Sequence, residues 1–202
     1  GFPGADQPLG GVGAPPIRSA ADIDKIPLPD PSSQGLVPLV IDALQRTREA
    51  IGPDVFLVAC FDQYPFSLAC AMMGMDQVML KLIDDRPLVE AVMERGLEYG
   101  LAYAGALADA GADMLSGGDS PAGLIGPQRY REVALPFERQ LIERLKSRGV
   151  PPVSLHICGN AMPLLSDMAA SGADVLELDY PVDIREACRL LGPDVTIWGN
   201  LD

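Results

Sequence analysis

One short phrase recurs along the chain and limits what it can become. Gly52-Pro53-Asp54-Val55, Gly111-Ala112-Asp113-Met114, Gly172-Ala173-Asp174-Val175 and Gly192-Pro193-Asp194-Val195 all read Gly-(Ala/Pro)-Asp-(Val/Met). Each follows an amphipathic stretch and precedes a short apolar run. Glycine suits the left-handed position just past a helix C-terminus. The phrase therefore reads as a tight helix-to-strand loop, and the apolar run after it as a strand. Gly149-Val150-Pro151-Pro152-Val153 is a looser fifth copy.

The strands expected from this punctuation lie at roughly 55–60, 113–116, 153–158, 174–179 and 195–199. They are apolar with little alternation, as parallel strands covered by helices are. The helices between them carry start signals. Asp85 precedes Arg86-Pro87, which places a proline in a first turn. Asp183 with Glu186 resembles a capping box. Pro127 opens another helix, and Pro136 is expected to kink or divide it.

Strand and helix in alternation give an α/β fold with parallel strands. A barrel and an open doubly wound sheet both satisfy that pattern. No Gly-x-Gly-x-x-Gly follows a strand, which argues against a dinucleotide site. Gly10-Gly11-Val12-Gly13 sits in a proline-rich lead and reads as loop. That lead, residues 1–38, holds eight of the 19 prolines and is expected to wrap the barrel or enter it from upstream. Residues 39–202 are expected to be a portion of a (β/α)8 TIM barrel, because five strands are too few to close eight.

The net charge is −13, from 15 basic and 28 acidic residues. Nucleic acid is an unsuitable partner for such a surface, since phosphate binding needs a basic stripe. No apolar run reaches the length of a membrane span, and no secretory signal is visible. A cytoplasmic protein is expected. Four cysteines do not form a disulfide framework here. Cys60, Cys70, Cys158 and Cys188 each read first as small buried hydrophobes. Met72, Met73, Met75 and Met79 read as core packing.

The run Val153-Ser154-Leu155-His156-Ile157-Cys158-Gly159-Asn160 carries the strongest chemical signal. Residues two apart in a strand face the same side. Ser154, His156 and Cys158 thus face one way, and Leu155 and Ile157 the other. A thiol and the chain's single imidazole project together from a strand's C-terminal end, where barrel enzymes keep their chemistry. Zinc favours that donor pair; a core histidine beside a buried cysteine is the plain alternative.

Other strand ends offer polar groups. Asp62 and Gln63 follow the first strand, Asp119 the second, Glu177 and Asp179 end the fourth, and Asn200 and Asp202 follow the fifth. Glu177, Asp179 and Asp119 are the expected catalytic carboxylates. They could complete a metal shell, orient His156 or move protons, or else serve as caps and loop acceptors. Asp62, Tyr64, Phe66, Asn160 and Asn200 are the expected substrate-binding residues.

Several segments together resemble the uroporphyrinogen decarboxylase superfamily. They are Ile17-Arg18-Ser19-Ala20-Ala21-Asp22-Ile23-Asp24, Tyr64-Pro65-Phe66-Ser67-Leu68, Ala110-Gly111-Ala112-Asp113, Asp119-Ser120-Pro121-Ala122-Gly123, His156-Ile157-Cys158-Gly159-Asn160 and Gly199-Asn200-Leu201-Asp202. The resemblance implies a (β/α)8 barrel and one of two chemistries. Decarboxylases of the superfamily remove acetate carboxyls from a tetrapyrrole without a cofactor. They carry an arginine-rich N-terminal substrate segment that is absent here, and they lack His-x-Cys. Corrinoid-dependent methyltransferases have His-x-Cys-Gly, with both side chains on zinc. The resemblance therefore implies that His156 and Cys158 are zinc ligands, with a third cysteine from a later strand; Cys188 is not its equivalent.

On that basis the expected function is a zinc-dependent methyltransferase. It would move a methyl group between a corrinoid on a partner protein and a small substrate. That substrate would be a thiol such as coenzyme M, or a methoxylated or methylamine-type compound. A homodimer is allowed for. The alternatives are a decarboxylase-like carboxy-lyase without metal and a non-catalytic barrel that binds a small ligand.

Overall fold

A computed structural model describes residues 15–201. Gly10–Gly13 and Asp202 lie outside the described residues. Five strands form one sheet: β1 (Val58–Gln63), β2 (Met114–Gly118), β3 (Ser154–Ile157), β4 (Val175–Leu178) and β5 (Thr196–Trp198). The helices before β2 are α1 (Ala20–Ile23), α2 (Val37–Ile51), α3 (Pro65–Met73), α4 (Met75–Asp84) and α5 (Arg86–Asp109). Those after it are α6 (Gly126–Arg129), α7 (Leu135–Ser147), α8 (Leu165–Ala169) and α9 (Ile184–Leu191).

The strand order is β1-β2-β3-β4-β5, and every pair is parallel. An open doubly wound sheet reverses its strand order at a switch point. This sheet never does, so the architecture is that of a (β/α) barrel, of which five strands lie among the described residues. Apolar residues on one sheet face are fully buried under the helices. Leu115, Val153, Leu155, Ile157 and Leu176 pack there with Val89, Val92 and Leu97 of α5 and Leu141, Ile142 and Leu145 of α7.

The recurring phrase has a physical basis. Gly52, Gly111, Gly149, Gly172 and Gly192 have φ of 72, 98, 72, 88 and 73°. Only glycine takes those values at low cost. In two copies the aspartate then works as a clamp. The Asp174 carboxylate accepts the Val153 N–H at 2.9 Å and the Lys146 ammonium at 2.7 Å. Lys146 also donates to the Gly172 carbonyl at 2.7 Å. Asp113 repeats the arrangement. It accepts the Leu57 N–H at 2.7 Å and the Arg48 guanidinium, which also donates to the Gly111 carbonyl. A cation from a preceding helix thus joins the loop, and the aspartate joins the starts of neighbouring strands.

The first strand differs from expectation. It runs three residues later, because residues 53–55 turn and 56–57 are irregular before it. Asp62 and Gln63 therefore lie inside β1, where a bulge falls between Cys60 and Asp62. The helix opened by Pro127 is divided ahead of Pro136: a π-helical turn over Tyr130–Ala134 separates α6 from α7, and Pro136 stands in the first turn of α7. The described part of the lead, residues 15–38, is mostly loop and runs over the helices. Ile17 is buried, with its N–H on the Met72 carbonyl at 3.1 Å, and the Tyr99 hydroxyl donates to the Pro27 carbonyl at 2.6 Å. Met73 is core, but Met75 is exposed. Among the described residues, no single helix is long and apolar enough to cross a membrane.

Gly172 offers a clean test of the punctuation. A Cβ there would meet nothing nearer than the Ile142 methyl at 3.8 Å, so its cost is conformational rather than steric. Gly172→Ala should destabilise the fold by about 1–2 kcal/mol in urea unfolding. An unchanged midpoint would show that the left-handed turn is not required.

Candidate active site

The C-terminal ends of β3, β4 and β5 build a shallow cleft of about 200 Å³. It is lined by His156, Glu177, Asp179, Tyr180, Trp198 and Asn200. Alternation in β3 does the placing. Leu155 and Ile157 are buried under helices, while His156 is half-buried on the opposite face. The ring Nδ1 lies 3.0 Å from the Glu177 carbonyl. A carbonyl only accepts, so Nδ1 carries the hydrogen in the neutral ring. Nε2 is then free to face the Cys158 Sγ at 3.1 Å. The Ser120 hydroxyl reaches the same sulfur at 2.9 Å.

Glu177 is held from two neighbouring strands. Its Oε1 accepts the Ser116 hydroxyl at 2.7 Å and the Ser154 hydroxyl as well. Asp179 accepts the Gly159 N–H at 2.6 Å and the Tyr180 N–H at 2.8 Å. Those two bonds, with a smaller contribution from His156, hold its carboxyl below the usual carboxylate range. Asn200 spans the far side. Its amide donates to the carbonyls of Asp179 at 3.1 Å and Val182 at 2.6 Å.

The structure thus brings together His156, Cys158, Glu177, Asp179 and Asn200. It separates others. Asp119 is fully buried on the helix side of the sheet and does not line the cleft. Tyr64 and Phe66 are also fully buried, so the expected pocket lining is core instead. Tyr64 packs edge-on against Phe61 at 5.2 Å and donates its hydroxyl to the Ser154 carbonyl at 2.7 Å. Burial, with nearby carboxylates adding to it, pushes the Tyr64 phenol well up. The Asn160 side chain accepts the Met162 N–H at 3.2 Å, a turn bond. Asp62 is exposed at the end of β1, with φ of 72° at the bulge. The neighbouring Gly117 has to lack a side chain, because the Phe61 ring lies 2.2 Å from where its Cβ would be.

Cys60, Cys158 and Cys188 are exposed and only Cys70 is buried, which corrects the expectation of four buried thiols. Ser116, Ser120, Tyr180 and Trp198 were not singled out in the sequence. Period-two alternation from Glu177 into the neighbouring strands could have found Ser116. His156 and Cys158 point at a common position, as two zinc donors would. A catalytic zinc takes three protein donors. No group of three or more His, Cys, Asp or Glu side chains with metal-binding geometry occurs among the described residues. By themselves these residues do not complete a zinc site.

Comparison with known proteins bears on the chemistry. The family model for uroporphyrinogen decarboxylase (URO-D) matches residues 8–202. The uroporphyrinogen decarboxylase of Myxococcus xanthus is 32% identical over 193 residues, covering 93% of this chain and 54% of that protein. That of Geobacter sp. strain M21 is 32% identical over 199 residues, covering 96% and 57%. A solved methyltransferase from Methanosarcina mazei has a TM-score of 0.83 at 26% identity, covering 94% of this chain and 55% of that one. The chain spans about half the length of these relatives. The sequence relatives overturn the expected zinc- and corrinoid-dependent methyltransferase, because they carry the decarboxylase name across nearly the whole chain. The chain belongs to the uroporphyrinogen decarboxylase (URO-D) family.

Proposed function

We propose that this chain contributes the strand-end acids of a carboxy-lyase that removes acetate carboxyls from a tetrapyrrole. One observation carries the reading: an imidazole and two carboxylates converge at the barrel mouth. The relatives' names supply the substrate class.

Loss of carbon dioxide from an acetate arm leaves an electron pair on the methylene carbon. An electron-rich ring that has taken up a proton beside the arm can accept that pair. A proton delivered to the carbon then completes a methyl group. Each turnover converts one CH2–CO2⁻ and one proton into one CH3 and one CO2. An imidazole is suited to carry a proton near neutral pH, and His156 is the only histidine in the sequence. The Glu177 carbonyl fixes the ring with Nε2 toward the mouth. Asp179, kept ionised by two backbone N–H groups, is suited to stabilise positive charge on the protonated ring. Glu177 is held rigid by its serines and can exchange a proton with bound substrate.

A cytoplasmic location goes with this proposal. Three exposed free thiols suit a reducing compartment.

His156→Ala in the intact protein should lower kcat/KM for decarboxylation by about 10²–10⁴-fold, the usual worth of a general acid or base. The circular dichroism spectrum should be unchanged. Glu177→Gln should also slow turnover, by a smaller factor. Wild-type rates in both variants would remove these residues from the chemistry. Turnover should persist after treatment with a chelator. Activity lost to the chelator and restored by zinc would sink the proposal, and tight tetrapyrrole binding with no turnover would leave only a ligand-binding barrel.

A further inference from the structure

A second pair of acids lies on the helix side of the sheet, away from the cleft. Asp119 follows β2 and Glu138 sits in α7, and neither exposes any surface. Asp119 Oδ1 accepts the N–H and the hydroxyl of Ser67, at the start of α3, both at 2.7 Å. Glu138 Oε2 accepts the Tyr130 hydroxyl at 2.5 Å. The remaining oxygens, Asp119 Oδ2 and Glu138 Oε1, are buried with no other hydrogen-bond partner, and the two side chains lie within hydrogen-bonding reach of each other.

Two ionised carboxylates cannot share an apolar interior without a cation. Every titratable group facing the pair is neutral or acidic. Tyr64 and Cys70 face it from the start and middle of α3, and Tyr130 from the π-helical turn. Asp167 of α8 acts on Tyr130, and Asp174 and Glu177 beside the sheet act on Tyr64. One shared proton satisfies both orphan oxygens. Ser67 gives Asp119 two donors, so the charge belongs on Asp119 and the proton on Glu138. Burial first, and the charge of Asp119 second, push the Glu138 carboxyl well up.

The pair also bears on the cleft. The Asp119 N–H donates to the His156 carbonyl at 2.8 Å. The next residue, Ser120, places its hydroxyl on Cys158. The π-helical turn, a feature often found near functional sites, sets Tyr130 over Glu138.

We propose that Glu138 and Asp119 share one proton, with Glu138 the donor, and that this hydrogen-bonded acid pair is a positioning element. It locks α3, α7 and the Asp119–Ser120 corner against the strand end that carries His156 and Cys158.

Glu138→Gln keeps the shape, a donor for Asp119 and an acceptor for Tyr130; Glu138→Ala removes all three. Hydrogen exchange on the intact protein at neutral pH should show Ser67 and Asp119 amides near wild-type rates in Glu138→Gln. They should exchange about tenfold faster in Glu138→Ala, which strands a buried carboxylate. Equal rates in the two variants would overturn the proposal. Should Glu138→Ala not fold, wild type and Glu138→Gln still decide it across pH. A carboxyl raised by folding stabilises the native state fully below its unfolded value of 4.5, and that contribution fades as pH rises toward the folded value. The Tm of wild type should therefore fall relative to Glu138→Gln as pH rises above 4.5. A difference independent of pH would contradict a shared proton.

Discussion

The rest of the structure depends on the bond from an aspartate to the N–H at the start of the preceding strand. Parallel strands side by side have no intrinsic register, and a slip of one residue turns every side chain to the other face. Asp174 accepts the N–H of Val153. The pairing then runs Ser154 with Val175, His156 with Glu177 and Ile157 with Leu178. The clamp at the closed end of the sheet thereby decides which residues meet at the open end. Lys146 reinforces it by holding both the Gly172 carbonyl and the Asp174 carboxylate. Asp113 and Arg48 do the same for the first two strands.

With register fixed, alternation sorts the chemistry onto two faces. His156 and Glu177 face the cleft, with Ser116 and Ser154 bound to the glutamate. Leu155, Ile157 and the buried Asp119 face the helices, where Glu138 of α7 is buried with them. The two acidic clusters have opposite surroundings. Asp179 accepts backbone N–H groups beside solvent and stays ionised. Glu138 has an apolar interior and another carboxyl for company, so it holds a proton. One fold thus keeps acids in two protonation states near the same strand end.

Much of this was legible before any coordinates. The four Gly-x-Asp phrases and the looser copy at Gly149 each precede one of the five strands, and the punctuating glycines do have positive φ. The placement of His156 followed from period-two alternation alone. What failed has a common cause: sequence shows which residues follow a strand but not which side of the sheet they turn to. Asp119 follows β2 as Asp179 follows β4, yet only Asp179 lines the cleft. Tyr64 and Phe66 read as pocket residues because they follow β1, but α3 starts at Pro65 and carries them inward. Glu138 gave no signal, since a glutamate at the start of a helix is ordinary. Its partner lies 19 positions away in sequence and meets it only through packing. A two-residue motif such as His-x-Cys does not say by itself whether a third donor converges on it.

Under the proposed function, the barrel mouth supplies protons to an acetate-bearing ring and holds them beside it. Product mass tests that claim most directly. The intact protein, incubated in heavy water with a reduced tetrapyrrole bearing acetate arms, should yield a product that has lost carbon dioxide from an arm. The new methyl group should carry one solvent deuterium for each carbon dioxide released. Unchanged tetrapyrrole under these conditions, or a methyl group without solvent deuterium, would contradict the account.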